Sequence, residues 1–337
     1  MNPPGLDLAA LHRFFAQRVP DYGGELDAQL LAGGKSNLTY RLRDGVHDWV
    51  LRRPPLGTLT PSAHDMAREY RVVAALGPTR VPVAPAMLLC EDTSVIGVPF
   101  AVTAFVPGRV IQSAEDAARL SPDEQRQCGE ELVDRLCQLH AVDPAAVGLD
   151  NFGRAEGYLE RQIRRWMDQW ERVHTRELAE PVELAGRLRL ALPTRGDRSV
   201  VHGDYRLDNV ILAPDRLEIA AIVDWEMCTL GDPLADLGLA LVYWDPLTEP
   251  VLGVKHIRSG ENFFPRADAL IERYSRQSGR ALADLDFYVA LGLFKLAVIA
   301  EGIHQRYQAG LTVGDGFATT GDAVLPLLHA GIDRLSA

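Results

Sequence analysis

The chain has 337 residues, 47% of them hydrophobic and 24% charged, which is too apolar for a disordered chain and enough for two domains or one large bilobal unit. Its 35 Lys and Arg against 46 Asp and Glu give a formal charge of −11, which excludes a broadly basic nucleic-acid-binding surface. The four cysteines, Cys90, Cys128, Cys137 and Cys228, form no CxxC pair and no zinc spacing, so no disulfide framework is expected and a reducing cytoplasm is the default compartment.

In chain order, residues 1–10 carry neither the basic start nor the apolar core of a secretion signal. Leu6 to Arg18 has the pattern of a short amphipathic helix. Gly33-Gly34-Lys35-Ser36-Asn37 follows an apolar run, and Leu38 to Arg43 alternates as a strand up to Asp44-Gly45, a hairpin turn signal. Trp49 to Arg53 reads as the next strand, stopped by Pro54-Pro55. Ala63 to Leu76 reads as a helix closed by Gly77-Pro78, and Val98 to Val106 as an apolar strand broken by Pro107-Gly108.

Beyond that break the pattern becomes helical. Pro122 to His140 and Tyr158 to Val173 carry helical stripes. Ser199 to Val201, Asn209 to Leu212 and Ile219 to Val223 read as short strands, and Leu234 to Tyr243 and Asp286 to Gln308 as buried helices. The apolar run Val289 to Ala300 is interrupted by Lys295 and is shorter than the roughly 20 residues a bilayer requires, so no membrane association is expected. The organisation implied is α+β: a small lobe over residues 1–107 and a larger, mostly helical lobe over 108–337, with a short linker at 105–110.

The polar octet His202-Gly203-Asp204-Tyr205-Arg206-Leu207-Asp208-Asn209 lies between two apolar strand-like runs, and Asp224 ends the next strand. Taken singly, these acids could be a helix cap and a turn residue. Together they put two carboxylates and an amide oxygen at strand ends, a hard-oxygen set suited to Mg²⁺ and phosphate.

HGDxxxxN followed by Asp224-Trp225-Glu226 and by Gly231-Asp232-Pro233-Leu234-Ala235-Asp236 resembles the aminoglycoside phosphotransferase and choline kinase superfamily, whose fold is that of protein kinases with HRDxxxxN and DFG at corresponding places. The resemblance runs from Gly33 to about Tyr307. It implies a protein-kinase-like bilobal fold with an antiparallel sheet in the nucleotide-binding N-lobe, and ATP and Mg²⁺ as cofactors. Asp204 would be the catalytic aspartate that accepts the substrate hydroxyl, and Asn209 and Asp224 the metal ligands. His202 and Asp236 would support the loop, while Asp208 would be a turn or cap residue.

In the N-lobe, Gly34, Lys35, Ser36 and Asn37 would lie over the phosphates. Val50 and Arg52 share one strand face by the period of two, so Val50 would roof the adenine and Arg52, where kinases place Lys, would reach the α- and β-phosphates and pair with Glu69. Arg53, on the opposite face, is expected in solvent. Backbone groups of Thr103, Ala104 and Phe105 would read the adenine edge.

Arg161, Arg164 and Arg165 are helical neighbours in a stretch that also holds Trp166 and Trp170. They are either a solvated face or an acceptor site with an aromatic wall. This stretch and Gly302 to Tyr307 resemble the kinase domains associated with acyl-CoA dehydrogenases, which implies phosphorylation of a hydroxyacyl-CoA or related hydroxy acid. An aminoglycoside or choline-like acceptor, the latter caged by Trp225, Trp244 and Tyr243, is the alternative acceptor class, and a nucleotide-binding pseudokinase the alternative of another kind. The partner expected is a small molecule, with no nucleic acid and no membrane.

Overall fold

The computed structural model describes residues 3–32, 37–56, 65–194, 196–252, 262–312 and 316–336. The chain divides into two compact units, one made of Met1–Gly108 with Ala220–Glu226 and the other of Arg109–Ile219 with Met227–Ala337.

The first unit contains α1 (Leu8–Arg18), β1 (Asp27–Ala32), β2 (Leu38–Arg43), β3 (Asp48–Arg53), α2 (Met66–Leu76), β4 (Ala86–Cys90) and β5 (Phe100–Ala104). Its strands form one antiparallel sheet in the order β1-β2-β3-β5-β4. Both helices begin where an aspartate accepts from a first-turn N–H: Asp7 from Ala10 and Asp65 from Arg68. That is why they start later than the apolar pattern alone suggests. The Asp44 carboxylate accepts from the N–H groups of Gly23, Val46 and His47, which shapes the β2–β3 turn.

Strand alternation divides the sheet into two faces. Tyr40, Leu42, Trp49, Leu51, Phe100 and Val102 bury one face with Leu11 and Phe15 of α1. Val50 and Arg52 point to the other, half-buried face, and Arg52 meets Glu69 of α2 there. The helix on the first face changes the fate of Arg53. Its side chain is buried, its Nε donates to the Pro54 carbonyl at 3.0 Å, and its Nη1 donates to the Gly5 carbonyl. The expectation of a solvated Arg53 is therefore corrected: Arg53 does lie on the face opposite Arg52, but the N-terminal segment covers that face.

The second unit contains α3 (Ala114–Ala118), α4 (Pro122–His140), α5 (Tyr158–Val173), α6 (Glu180–Leu190), β6 (Ser199–Val201), β7 (Val210–Leu212), the start of β8 (Ile219–Ile222), β9 (Thr229–Gly231), α7 (Pro233–Tyr243), α8 (Glu249–Leu252), α9 (Ala267–Ser278), α10 (Leu285–Gln308) and α11 (Val324–Arg334). α4 starts with a capping box between Ser121 and Glu124 and with Pro122 at its first position. β8 leads into the first unit, where Ile222 donates to the Pro82 carbonyl. Asp224 thereby joins the sheet unit.

α10 is the centre of the second unit and packs on α7, α11, α5 and α6. By length and composition it could cross a membrane, but 78% of its apolar window is buried inside the protein. Gly238 of α7 allows the close crossing with α10: a Cβ there would sit 2.5 Å from the Tyr288 backbone carbon. All four cysteines are buried and none forms a disulfide.

Candidate active site

In the second unit, β6 delivers His202 and Gly203 to the first turn of α7. Asp236, buried there, accepts from the N–H of His202 at 2.6 Å and of Gly203 at 2.8 Å, and lies 3.4 Å from His140 Nε2. Burial alone would raise its pKa, but the His140 bond, the neighbouring His202 and the Gly203 N–H outweigh it and hold the carboxyl below its ordinary range. Gly203 has φ +83°, and a Cβ would approach Met227 O to 2.8 Å, so the loop requires glycine there. His202 is buried, and its Nδ1 accepts from the Asp204 N–H at 3.3 Å. These contacts fix the backbone on which Asp204 stands.

Asp204 is engaged through both oxygens. Tyr243 Oη donates to Oδ1 at 2.6 Å, and Asn209 Nδ2 donates to Oδ2 at 3.2 Å and to the Asp204 carbonyl at 2.8 Å. Arg206 Nε is 3.8 Å from Oδ2. Lys295 Nζ donates to the Gly203 carbonyl at 2.6 Å. Burial favours the neutral acid, but Arg206, Lys295 and the Tyr243 hydroxyl together hold Asp204 below the usual carboxylate range. It is thus an ionised acceptor of hydrogen bonds at neutral pH. Asp208, expected as a cap or turn residue, is the ion-pair partner of Arg206 at 2.8 Å. With its amide nitrogen on Asp204, Asn209 presents its oxygen as the atom available to a hard cation.

In the first unit, Arg52 bridges two carboxylates: Nη1 is 3.0 Å from Glu69 Oε1, and Nη2 donates to Asp224 Oδ1 at 2.9 Å. Asn37 Nδ2 donates to Glu226 Oε2 at 3.4 Å. Asp224 has φ +67°, a left-handed conformation rare outside glycine and typical of places where structure holds a residue for function. Glu69 is buried, and burial, with Asp224 and Glu226 nearby, raises its pKa to about 7 against the pull of Arg52. Arg52 meets two carboxylates and lies in the field of a third, Glu226, and Arg52 Nε and Glu69 Oε2 are buried without a hydrogen-bond partner. Such a set fits a divalent cation and phosphate oxygens arriving together. Among the described residues no group of three or more His, Cys, Asp or Glu is placed to hold a metal ion.

Val50 shares the face of Arg52. Thr103 and Ala104 end β5, and Phe105 lies under the Arg41 guanidinium, 3.7 Å from its ring centroid. The Ala104 and Phe105 N–H groups already donate to Pro85 O and Asp48 O at 2.8 and 2.9 Å. These two donors therefore serve the fold rather than a base edge, which corrects the expectation for them. Gly34, Lys35 and Ser36 lie outside the described residues.

On α5 the three arginines take different surroundings. Arg161 donates to the carbonyls of Arg154 and Glu156, closing the turn before the helix. Arg164 is exposed. Arg165 is also exposed and lies over the buried Trp166 ring, 5.6 Å from its centroid. Lys295 lies over the same ring at 5.5 Å. Trp166 and Trp170 are both buried.

Sequence reasoning did not place Tyr243, Lys295 or Arg206 around Asp204. Arg206 was inside the octet and could have been found; the other two are on α7 and α10, far along the chain.

An antiparallel five-stranded unit, a mostly helical unit and an HGDxxxxN loop built around an ionised aspartate define a phosphotransferase of protein-kinase-like, α+β fold. The chain belongs to the Phosphotransferase enzyme family (APH), whose model matches residues 27–286. It is 34% identical over 335 residues to Acyl-CoA dehydrogenase family member 11 of Rattus norvegicus, covering 97% of this chain and 43% of that protein. It is 36% identical over 280 residues to Acyl-CoA dehydrogenase family member 10 of Mus musculus, covering 82% and 26%. The chain thus spans less than half the length of these relatives. A crystal structure from Ralstonia eutropha, described as an aminoglycoside phosphotransferase, superposes with a TM-score of 0.82 at 31% identity over 98% of both chains. The ternary complex of a thermostable aminoglycoside phosphotransferase APH(4)-Ia mutant with ADP and hygromycin B shares the fold, with a TM-score of 0.63 at 14% identity over 96% of this chain and 99% of the other.

Proposed function

We propose that this chain is an ATP- and Mg²⁺-dependent kinase for a small-molecule hydroxyl, and that its acceptor is a hydroxyacyl-CoA or a related hydroxy acid. The observation that carries the acceptor reading is the pair of cations at the Trp166 ring, Lys295, which is bonded to the Gly203 carbonyl next to Asp204, and Arg165; Arg206 is already paired with Asp208. Such surroundings favour an acceptor with anionic or carbonyl oxygens over a polyamine. The acyl-CoA dehydrogenase names of the relatives point the same way, and the ADP held by a structural neighbour supports a nucleotide donor.

In this reading Asp204 accepts the hydrogen bond of the acceptor hydroxyl and orients its oxygen toward the γ-phosphate. Phosphoryl transfer runs through a loose transition state, so orientation and charge stabilisation matter more than early proton removal. Arg52 presents a fixed positive charge to the phosphates and replaces the usual kinase lysine with a bidentate group. Asp224 and the Asn209 amide oxygen would hold Mg²⁺, which when bound neutralises charge on the β- and γ-phosphates. Val50 would contact the adenine. Four buried cysteines outside any disulfide suit a reducing compartment, and we assign the chain to the cytoplasm, acting on a small molecule rather than on nucleic acid or membrane.

The Ralstonia relative favours a second reading, an aminoglycoside acceptor. An ATP-consumption screen across short hydroxyacyl-CoAs, free hydroxy acids, choline-like amines and aminoglycosides separates the two. The expected result is turnover of a thioester or hydroxy acid, reduced by about 10²–10⁴-fold in Asp204→Ala with nucleotide affinity retained. Aminoglycoside turnover with no activity on any acid or thioester would overturn the proposal. Nucleotide binding without transfer to any hydroxyl would return the chain to the pseudokinase class.

A further inference from the structure

Lysine is scarce in this chain: Lys35, Lys255 and Lys295 are the only three among 35 basic residues. Arginine therefore serves as the ordinary cation, and Lys295 stands where a compact, strongly hydrated point charge replaces a planar fork. It is also the sole charged residue between Val289 and Ala300 in α10, whose neighbouring positions Phe294, Leu296, Ala297 and Val298 are all buried. A cation on such a helix is costly unless it has partners.

One partner is the Gly203 carbonyl, 2.6 Å from Nζ, which belongs to the residue immediately before Asp204. A second is the Trp166 ring, 5.5 Å away and in range of a cation–π contact. An ammonium has three donors, and among the described residues no carboxylate lies within 4 Å of Nζ. The ammonium is therefore anchored one peptide from the catalytic aspartate, with hydrogen-bonding capacity left over and an aromatic wall beside it. Burial pushes its pKa down, while Asp204 and Asp236 act in the opposite sense. Arg165, over the same indole, adds positive charge to the same surroundings.

We propose that Lys295 is an acceptor-binding residue that donates a hydrogen bond to the acyl carbonyl oxygen of the acceptor while Asp204 holds its hydroxyl. The inference rests on the acyl-acceptor reading given above and deepens it. The hydroxyl and the carbonyl of one molecule are read by two groups that share the 203–204 peptide, and the apolar carbons between them lie against Trp166. A polyammonium acceptor offers no acyl carbonyl to this ammonium, and its own positive charges are repelled by it.

The test uses two synthetic acceptors with the same carbon chain and hydroxyl: a hydroxyacyl-CoA thioester and the hydroxyalkyl-CoA thioether that lacks only the carbonyl. The wild-type chain should favour the thioester in kcat/KM by roughly tenfold to a hundredfold, the scale of one hydrogen bond to a charged group. Lys295→Met should bring that ratio close to one by losing activity on the thioester. Lys295→Gln, which retains a neutral donor for the Gly203 carbonyl, should also lose most of the ratio. A wild-type ratio near one overturns the proposal without any variant. So does an undiminished ratio in variants that slow both acceptors equally, because Lys295 would then only pin the loop. Phosphorylation of some other hydroxyl compound with neither CoA derivative turned over would reject the acyl-acceptor reading itself, and this proposal with it.

Discussion

Asp204 has two carboxylate oxygens, and the protein engages both: Tyr243 on Oδ1 and Asn209 on Oδ2. The motif residues His202, Asp204, Asn209 and Asp236 were legible because they lie within two short stretches whose spacing the loop itself dictates. Tyr243 and Lys295 were not, because their contacts with the loop span 39 and 92 residues and depend on how α7 and α10 pack. The Tyr243 bond has a pH consequence. Burial raises the Asp204 pKa, and Arg206, Lys295 and Tyr243 reverse that and leave it below the ordinary value. Activity that needs the ionised carboxylate is then lost only as pH falls through this depressed pKa. Removing the donor in Tyr243→Phe withdraws one of the lowering contributions, so the acid limb of the kcat/KM profile should move to higher pH. The check is the profile of both proteins across the acid limb; an unmoved limb would show that Tyr243 only packs. Asp224 was legible by position, but its left-handed φ was not, since that follows from the turn after β8 rather than from residue type.

At the scale of the element, β3 shows where alternation suffices and where it does not. The period of two placed Val50 with Arg52 and set Arg53 apart, and the register of β3 against β2 and β5 agrees with it. The amphipathic pattern of α1 is legible in the sequence, but not that α1 and the segment around Gly5 cover this face, because a local pattern does not say where a helix docks. The consequence is a pair of contrasting variants. Arg52→Ala leaves Glu69 and Asp224 without their shared cation, so the KM for nucleotide should rise and turnover should fall. Arg53→Ala removes donors to two backbone carbonyls and leaves acceptors unsatisfied in a buried place, at a cost of about 1–3 kcal/mol, with the nucleotide KM unchanged. Denaturant melts and nucleotide titrations on both variants separate the effects, and a catalytic defect confined to Arg53→Ala would mean that the strand register is off by one. Other elements were less visible. β4 follows a proline-rich approach from Pro82 to Pro85, and α6, α9 and α11 carry short apolar stripes whose partners are other helices, so none stood out by period alone. α4 and α5 were plain because long amphipathic stripes coincide with clear boundaries at Pro122 and at Gly157.

For the molecule as a whole, the charge of −11 and the cations around Asp204 pull in opposite directions. A net negative protein attracts polycations in general, yet an acceptor is selected by the field where its hydroxyl must sit. In the second unit Arg206 is paired with Asp208, so the positive charge left near the Asp204 loop is that of Lys295, bonded to the Gly203 carbonyl and facing the Trp166 indole, with Arg165 over the same indole, and the local charge decides. A hydroxyacyl-CoA should therefore be phosphorylated far better than kanamycin. Arg165 is exposed, and exposed charge contacts are screened over about 8–10 Å at physiological salt. The KM for the thioester should accordingly rise with ionic strength, through the phosphates of the CoA handle. Arg165→Ala should raise that KM with little change in kcat, the pattern of binding shared by ground and transition states, and should flatten its salt dependence. Arg161→Ala should leave the thioester KM alone, because its guanidinium is held by the carbonyls of Arg154 and Glu156. Steady-state kinetics at several salt concentrations test the contrast. Equal effects of the two substitutions, or a thioester KM indifferent to salt, would mean that α5 contributes only a solvated face and that selection rests on groups closer to Asp204.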